Sequence, residues 1–154
     1  MLTLARPTQR LRFEDYVAHA ATGGLRLTER RRDVLRLIWN AARPIGAYEI
    51  AEQLGRNGAS AHPAIVYRCL HRLAEAGLII PILSWKRHVI APVPAVGRWG
   101  VLLCSTCRAC TPVDLGREHQ LLIQRLRTAG WTPRIWSAEA EGLCCACRED
   151  APCA

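Results

Sequence analysis

The sequence predicts an α+β fold in two parts, and three observations carry that prediction. The first is a helical stretch at residues 60–78, apolar on one side and basic on the other, between a short helix and two β-rich segments. The second is a stretch rich in proline and glycine at residues 91–100. The third is a pair of C-x-x-C motifs that begin at residues 104 and 144. We therefore expect an N-terminal winged helix-turn-helix domain and a small C-terminal α/β domain with a four-cysteine zinc site.

The composition indicates a core-forming protein with one basic end. Half of the residues are hydrophobic, but no run approaches the length that a signal peptide or a membrane span needs, so we expect a cytoplasmic protein without a membrane partner. Lys and Arg outnumber Asp and Glu by 14 to 7 in residues 1–90, and by only 7 to 6 in residues 91–154. Because phosphate backbones attract basic surfaces, this asymmetry predicts that the N-terminal part binds nucleic acid.

Two helices are predicted before the helix-turn-helix. A helical apolar stripe predicts the first at about residues 11–20, without revealing its function. Thr28 is a good N-cap for the second helix, which runs to about residue 42. The three arginines that follow this cap either contact phosphate or are solvated, and Arg31 is our predicted phosphate contact.

The stretch at residues 60–78 is the predicted recognition helix. Pro63 suits its first turn and Gly77 suits the position after its end. Its apolar stripe follows the i, i+3, i+4, i+7 spacing and consists of Val66, Cys69, Leu70 and Leu73. Its opposite side carries Tyr67, Arg68, His71 and Arg72. A short helix that opens at Gly46 precedes it, and this order is typical of a helix-turn-helix, whose second helix enters the major groove of DNA.

The remaining segments complete the two predicted domains. Two β-rich segments, 78–83 and 88–90, predict a two-stranded wing whose basic tip, with Lys86 and Arg87, could touch DNA. The pattern of the C-terminal domain predicts two strands, a helix and a last strand at residues 131–136. The predicted boundaries are a DNA-binding domain at 1–90, a hinge at 91–100, and a dimerisation and zinc domain at 101–154.

The C-terminal cysteines predict a structural zinc ion. A domain of about 60 residues usually needs a metal or oligomerisation to be stable. The predicted ligands are Cys104, Cys107, Cys144 and Cys147. Cys110 and Cys145 are rivals for places in these pairs, although the spacing favours Cys144 and Cys147 at the second pair. Four thiolates fill the tetrahedral shell of Zn²⁺ and leave no position for water, so we expect one structural ion per protomer, and a reducing compartment favours zinc over disulfides.

Six segments of the chain resemble the ferric uptake regulator (Fur) family, and most closely its zinc uptake regulator (Zur) branch. In order they are L-T-E-R-R-R-D-V-L at 27–35, G-A-Y-E-I at 46–50, H-P-A-I-V-Y-R-C-L at 62–70, L-A-E-A-G-L-I at 73–79, the two C-x-x-C pairs, and E-G-L-C-C-A-C at 141–147. The resemblance covers about residues 25–150. It implies a homodimer that binds a palindromic operator in double-stranded DNA and represses genes of metal homeostasis, zinc in particular.

The resemblance also implies which residues contact DNA. Tyr67 and Arg68 stand where the family has a Tyr-Arg pair on the recognition helix, and Tyr48 stands where the preceding helix presents a tyrosine. His62, in the same matching segment, and Arg31 complete the predicted DNA-binding set. Arg68 could bind a guanine through two parallel hydrogen bonds, which would give the helix its sequence preference.

The family's regulatory metal site is incomplete in this sequence. Residues 80–103 contain one histidine, His88, and no Cys, Asp or Glu, and Ala91 stands where relatives have Cys or His. A second regulatory ion is therefore doubtful. The candidates for a second metal site or a redox site are His88, Cys110, His119 and Cys153.

Several functions remain open. The regulator could sense zinc, respond to thiol oxidation or bind DNA independently of metal. An alternative from a different class is a zinc-stabilised winged-helix adaptor that binds protein or RNA. We do not expect an enzyme or a small-molecule substrate, because the zinc ligand set is closed and the sequence shows no pairing of a base with a nucleophile.

Overall fold

The computed structural model describes residues 3–4, 12–22, 26–56, 62–92, 98–133 and 137–148. Its α-helices are α1 (Phe13–Thr22), α2 (Glu29–Asn40), α3 (Ala47–Arg56), α4 (Pro63–Glu75) and α5 (Gly116–Thr128). Its strands are β1 (Thr3–Leu4), β2 (Ile45–Gly46), β3 (Ile79–Ile82), β4 (Arg87–Ile90), β5 (Trp99–Cys104), β6 (Cys110–Asp114) and β7 (Glu139–Gly142). This mixture confirms the predicted α+β class. Within the ranges given, every helix is too short or too polar to cross a membrane.

We call residues up to 92 the N-terminal part. Its helices α2, α3 and α4 pack against one another around a hydrophobic core. The predicted N-cap of α2 is confirmed, since the Thr28 hydroxyl accepts a hydrogen bond from the backbone N–H of Arg31 at 3.4 Å. The predicted apolar stripe of α4 is buried and consists of Val66, Cys69, Leu70 and Leu73. Pro63 lies in the first turn of α4. Gly77 follows the end of the helix with a φ of +69°, a left-handed conformation that favours glycine.

Helix α1 contacts the wing through Tyr16, whose side chain is fully buried. The Tyr16 hydroxyl lies 2.6 Å from the carbonyl oxygen of Leu78 and 3.0 Å from that of Ala91, which flank the β3–β4 hairpin at the end opposite its turn. Its ring packs on Trp39 of α2, with the ring centroids 5.0 Å apart. Tyr16 therefore joins α1, α2 and the wing at one point.

The wing has three antiparallel strands, in the order β2-β4-β3, where the sequence predicts two. Strand β2 escapes prediction because its two residues, Ile45 and Gly46, are too few to show an alternating pattern. It leads directly into α3, so the wing and the helix-turn-helix share a continuous segment. The turn between β3 and β4, residues 83–86, contains Lys86 in a left-handed conformation with a φ of +53°.

The C-terminal part, from residue 98 onward, forms a sheet with strand β1 in the order β1-β6-β5-β7. Strand β7 runs parallel to β5, and the other pairs are antiparallel. The strand predicted at residues 131–136 is wrong where the structure describes it, because 131–133 are not in a strand, while 134–136 lie outside the described residues. The last strand among the described residues is β7 instead. Its sequence, E-A-E-G, has little intrinsic preference for sheet, so pairing with β5 makes it a strand.

A second buried cluster joins the wing to the C-terminal sheet. It consists of Ile80, Ile82 and Ala91 from the wing and Trp99, Val101 and Leu103 from β5. The predicted hinge at 91–100 therefore begins and ends in packed residues, while its centre, 93–97, lies outside the described residues. The two halves of the chain meet through a shared apolar cluster.

Candidate metal centre and nucleic-acid interface

The four predicted zinc ligands come together where β5 and β7 end. The sulfur atoms of Cys104, Cys107, Cys144 and Cys147 all lie within 4.8 Å of one another. Parallel pairing sets Cys104 opposite Gly142, and the backbone N–H of Ser105 donates to the Gly142 carbonyl at 2.9 Å. The pairing of two strands from opposite ends of the C-terminal part therefore brings the two C-x-x-C turns face to face.

The electrostatics of this cluster suit a soft divalent cation. The Cys144 N–H lies 3.4 Å from the Cys104 sulfur, and this amide and that of Cys107 lower the pKa of the Cys104 thiol to about 6. Hydrogen bonding with the Cys144 thiol and with other cysteines of the cluster raises the pKa of Cys147 to about 12. Neighbouring thiolates repel one another unless a cation lies between them. Four sulfur ligands at this spacing are the donor set of a structural zinc site.

The rival cysteines lie outside this four-sulfur group. Cys110 begins β6 and packs against the second buried cluster. Burial and the negative charge of Glu139 raise the pKa of the Cys110 thiol to about 11. A thiol with so high a pKa is a poor nucleophile near neutral pH, which is unfavourable for redox sensing.

The candidates for a second metal site lie on separate elements. His88 is in β4, where burial lowers its pKa to about 4 and its Nδ1 atom has no hydrogen-bond partner among the described residues. His119 is in α5, and Cys153 lies outside the described residues. Across the part of the chain that the structure describes, His88, Cys110 and His119 do not join any group of three metal-ligating side chains. The second site thus stays a prediction without a cluster to support it.

The predicted DNA-contacting side chains of α3 and α4 form one exposed face. Tyr48 is 70% exposed and Tyr67 is 49% exposed, and their rings meet edge to face with centroids 6.3 Å apart. Arg68, the next residue on α4, is exposed as well. Large aromatic side chains at this exposure are unusual on a protein surface unless they contact a partner. We call Tyr48, Tyr67 and Arg68 the tyrosine–arginine face.

A basic groove between α2 and α4 lies beside this face. Its basic lining residues are Arg30, Arg31, Arg68, His71 and Arg72. The Nη1 of Arg31 donates to the carbonyl of Arg26 at 2.9 Å, whereas the Nη1 of Arg30 is buried and has no hydrogen-bond partner in the part of the chain that the structure describes. Arg30 lines the groove together with Arg31, although the sequence singles out Arg31 alone, because three successive arginines can be told apart only by where the helix directs each one.

His62 takes part in the start of α4. Its exposed ring accepts a hydrogen bond from the backbone N–H of Ala64 through Nδ1, at 3.3 Å, and so caps the helix. Its Nε2 atom is the ring atom left for a contact with a partner. The structure therefore gives His62 a local role in addition to the predicted DNA contact.

Arg87, predicted at the wing tip, contacts the segment that leads into α3 and α3 itself. Its guanidinium donates to a Glu49 carboxylate oxygen at 2.7 Å and to the Pro44 carbonyl at 2.8 Å. Hydrogen bonds from the Gly46 amide and from Arg87 lower the pKa of Glu49 to about 2. The Arg87 guanidinium is thus held within the protein, whereas the sequence predicts a contact with DNA.

No family model matches the chain. It is 28% identical to the zinc uptake regulation protein of Escherichia coli strain K12 over 135 residues. The matched region covers 86% of this chain and 79% of that protein. The Shigella flexneri zinc uptake regulation protein gives the same values. These relatives confirm the resemblance found in the sequence and agree with the prediction that the chain is not an enzyme.

Solved structures of zinc and ferric uptake regulators are also similar to this chain. Holo XcZur superposes with a TM-score of 0.72 at 28% identity, covering 88% of this chain and 95% of that one. A zinc uptake regulator complexed with zinc and DNA also has a TM-score of 0.72, at 26% identity, covering 90% and 96% of the two chains. The Helicobacter pylori ferric uptake regulator, at 13% identity and a TM-score of 0.53, shares the fold. The predicted fold is confirmed.

Proposed function

We propose, from the premise that the chain belongs to the Fur family of DNA-binding regulators, that it represses genes of zinc homeostasis by binding a palindromic operator as a homodimer. The observation that carries the proposal is the tyrosine–arginine face on α3 and α4, beside the basic groove. A similar protein has been solved in complex with zinc and DNA. The proposed site of action is the cytoplasm.

The tyrosine–arginine face has the shape and chemistry for a major groove. Helix α4 offers Arg68 for bidentate hydrogen bonding to guanine, and the paired rings of Tyr67 on α4 and Tyr48 on α3 for further contacts. The basic groove lies at the edge of the same surface, where Arg30 and Arg31 can approach the phosphate backbone. The proposal therefore assigns sequence preference to the face and sequence-independent affinity to the groove.

A second copy of the chain is the proposed partner of the C-terminal part. Helix α5 has no buried residue in the single chain. The exposed large apolar side chains of this part are Leu102, Leu121, Leu122, Trp131 and Leu143. Apolar surface of this extent favours association, and two-fold symmetry would present two copies of α4 to a palindrome.

The four-cysteine site is proposed to hold one structural zinc ion per protomer. Its ligand set has no open position, so the ion would stabilise the fold and not carry out catalysis.

Metal-independent regulation is the second candidate, favoured by the separation of His88, Cys110 and His119. Zinc content per protomer and DNA affinity, before and after mild chelation, distinguish these readings. One tightly held ion with unchanged affinity indicates metal-independent binding, and a second, removable ion whose loss weakens binding indicates zinc sensing.

The DNA-binding proposal is tested by selection from random duplexes. We expect a two-fold symmetric sequence to be enriched. Arg68→Ala should weaken binding to that sequence by roughly ten- to a hundredfold, while binding to random duplex changes little. Arg31→Ala should weaken both about equally. Arg117→Ala, which removes one exposed arginine from the C-terminal part, is the control and should bind as the wild type does. Failure to enrich any sequence would favour the adaptor function.

A further inference from the structure

The turn of the wing, residues 83–86, is held by a carboxylate from the other half of the chain. One oxygen of Glu139, the first residue of β7, accepts a hydrogen bond from the Leu83 N–H at 2.5 Å. Its other oxygen accepts from the Ser84 N–H at 3.1 Å and from the Ser84 hydroxyl at 2.5 Å. Three donors from the turn therefore converge on one side chain more than 50 residues away in sequence.

Neighbouring contacts hold the same turn. The Arg108 guanidinium lies over the ring of Trp85, 4.0 Å from its centroid, and Trp85 also packs against the second buried cluster. The Ser137 hydroxyl lies 2.9 Å from the Glu139 carboxylate and 3.4 Å from the carbonyl oxygen of Pro81 in β3. The turn is thus contacted by the segment after β5, through Arg108, and by the first residue of β7, Glu139, while Ser137 links that carboxylate to β3.

The Glu139 carboxylate is suited to this role because it stays charged. Burial raises its pKa, but the hydrogen bonds from Ser84 and Leu83 outweigh burial, so the pKa of Glu139 lies below its ordinary value. Hydrogen bonds to an ionised acceptor are stronger than those between neutral groups. All the donors come from the protein, so the contact needs no cation between the two halves.

The turn at residues 83–86 is connected to α4 through strand β3. Strand β3 follows α4 after a tight C-cap, in which the Leu78 N–H donates to the Leu73 carbonyl at 3.0 Å. On the other side, β7 pairs with β5 and leads into Cys144 and Cys147. A line of hydrogen-bonded elements therefore runs from the recognition helix through Glu139 to the four-cysteine cluster.

We propose that Glu139 is a positioning residue. Its hydrogen bonds to the wing turn set the orientation of α4 relative to the C-terminal sheet, and no metal ion is needed between the turn and the carboxylate. The inference rests on the proposed function, since orientation matters because two copies of α4 must match the spacing of a palindrome. The contact gives a physical means of holding the proposed DNA-binding half in place where the described residues contain no second cluster of metal ligands.

The test compares Glu139→Ala with Glu141→Ala. Glu141 lies two residues further along β7, so its side chain is on the same face, and it is exposed. The measurements are hydrogen exchange at the Leu83 and Ser84 amides, small-angle X-ray scattering, zinc per protomer, and affinity for the selected duplex. Glu139→Gln, which keeps an acceptor oxygen but loses the charge, should give intermediate values.

We expect Glu139→Ala to speed exchange at both amides and weaken duplex binding, each by about tenfold or more, with altered scattering and unchanged zinc content. Glu141→Ala should match the wild type in every measurement. Wild-type exchange in Glu139→Ala overturns the inference, as does faster exchange with unchanged scattering or affinity. If the wild-type chain selects no DNA sequence, the proposed function fails, whereas exchange and scattering still decide whether Glu139 holds the two halves together.

Discussion

His88 is a half-buried imidazole whose charge state is coupled to folding. Burial lowers its pKa from 6.5 to about 4, so the unfolded chain binds more protons than the folded chain between these values. The free energy of unfolding should therefore fall as the pH decreases from about 6.5 towards 4. His88→Gln should flatten this dependence, whatever its effect on stability at neutral pH. Urea unfolding at about pH 7 and about pH 5.5 measures the change.

Val89→Ala, at the next position of β4, provides the control for this titration. It alters the same strand without removing a titratable group, so the wild-type dependence on pH should remain. If His88→Gln retains the full wild-type loss of stability on acidification, another group is responsible and the assignment to His88 is wrong.

Cys110 should be an unreactive thiol in the folded protein. Its raised pKa, about 11, leaves little thiolate near neutral pH, and only the thiolate is a good nucleophile. We expect iodoacetamide to alkylate Cys110 slowly in the folded protein and rapidly after unfolding, as measured by mass spectrometry of its peptide. Alkylation at the same rate in both states would instead favour the thiol-responsive regulator.

The role of a single residue could be predicted where it depends on residues close by in the sequence. Thr28 as an N-cap and Gly77 after α4 depend on neighbours within a few positions, so their roles can be derived from the sequence. The clustering of the two C-x-x-C pairs was also predictable, because thiolates at that spacing have few other uses. Glu139 and Arg87 could not be assigned, since their partners lie more than 30 residues away and become neighbours only in the folded chain.

Among the elements, β5 shows how close packing limits substitution. A Cβ added at Gly100 would lie 2.5 Å from Leu115 Cδ1 and 3.1 Å from the Ala138 carbonyl oxygen. Gly100→Ala should therefore lower the free energy of unfolding by about 1–3 kcal/mol, measured by chemical denaturation. Gly142→Ala in β7 is the control, because no atom lies within 4 Å of its added Cβ. Equal stability of the two variants would contradict the packing described here.

The elements that the sequence predicts well are those stabilised by their own pattern. Helices α2 and α4 have an apolar stripe and a cap, and their predicted bounds differ from the observed ones by a few residues at most. Strands β2 and β7 have neither signal. They exist because β4 and β5 offer unpaired edges, which only the three-dimensional arrangement reveals.

At the scale of the whole molecule, the exposed leucines of α5 predict how the chain assembles. Leu121 is 52% exposed in the single chain, and a lysine at this position would bring a charge into the proposed dimer interface. Leu121→Lys should shift the protein towards monomer in sedimentation equilibrium and weaken operator binding. Gln120→Lys places the same charge at an exposed polar position on another face of α5 and should remain dimeric. A monomeric wild type, or a Leu121→Lys variant that stays dimeric, would refute the proposed assembly.

The position of β7 late in the chain has a consequence for biosynthesis. Glu139, Cys144 and Cys147 leave the ribosome after almost everything that they hold in place. The three helices around Val66 and Leu70 can therefore fold co-translationally before the sheet that orients them is complete. A nascent product that stops before β7 would contain the helices of the N-terminal part but would lack the second cysteine pair and the Glu139 carboxylate. Truncation at this point should therefore leave the N-terminal core folded while the four-cysteine cluster is incomplete.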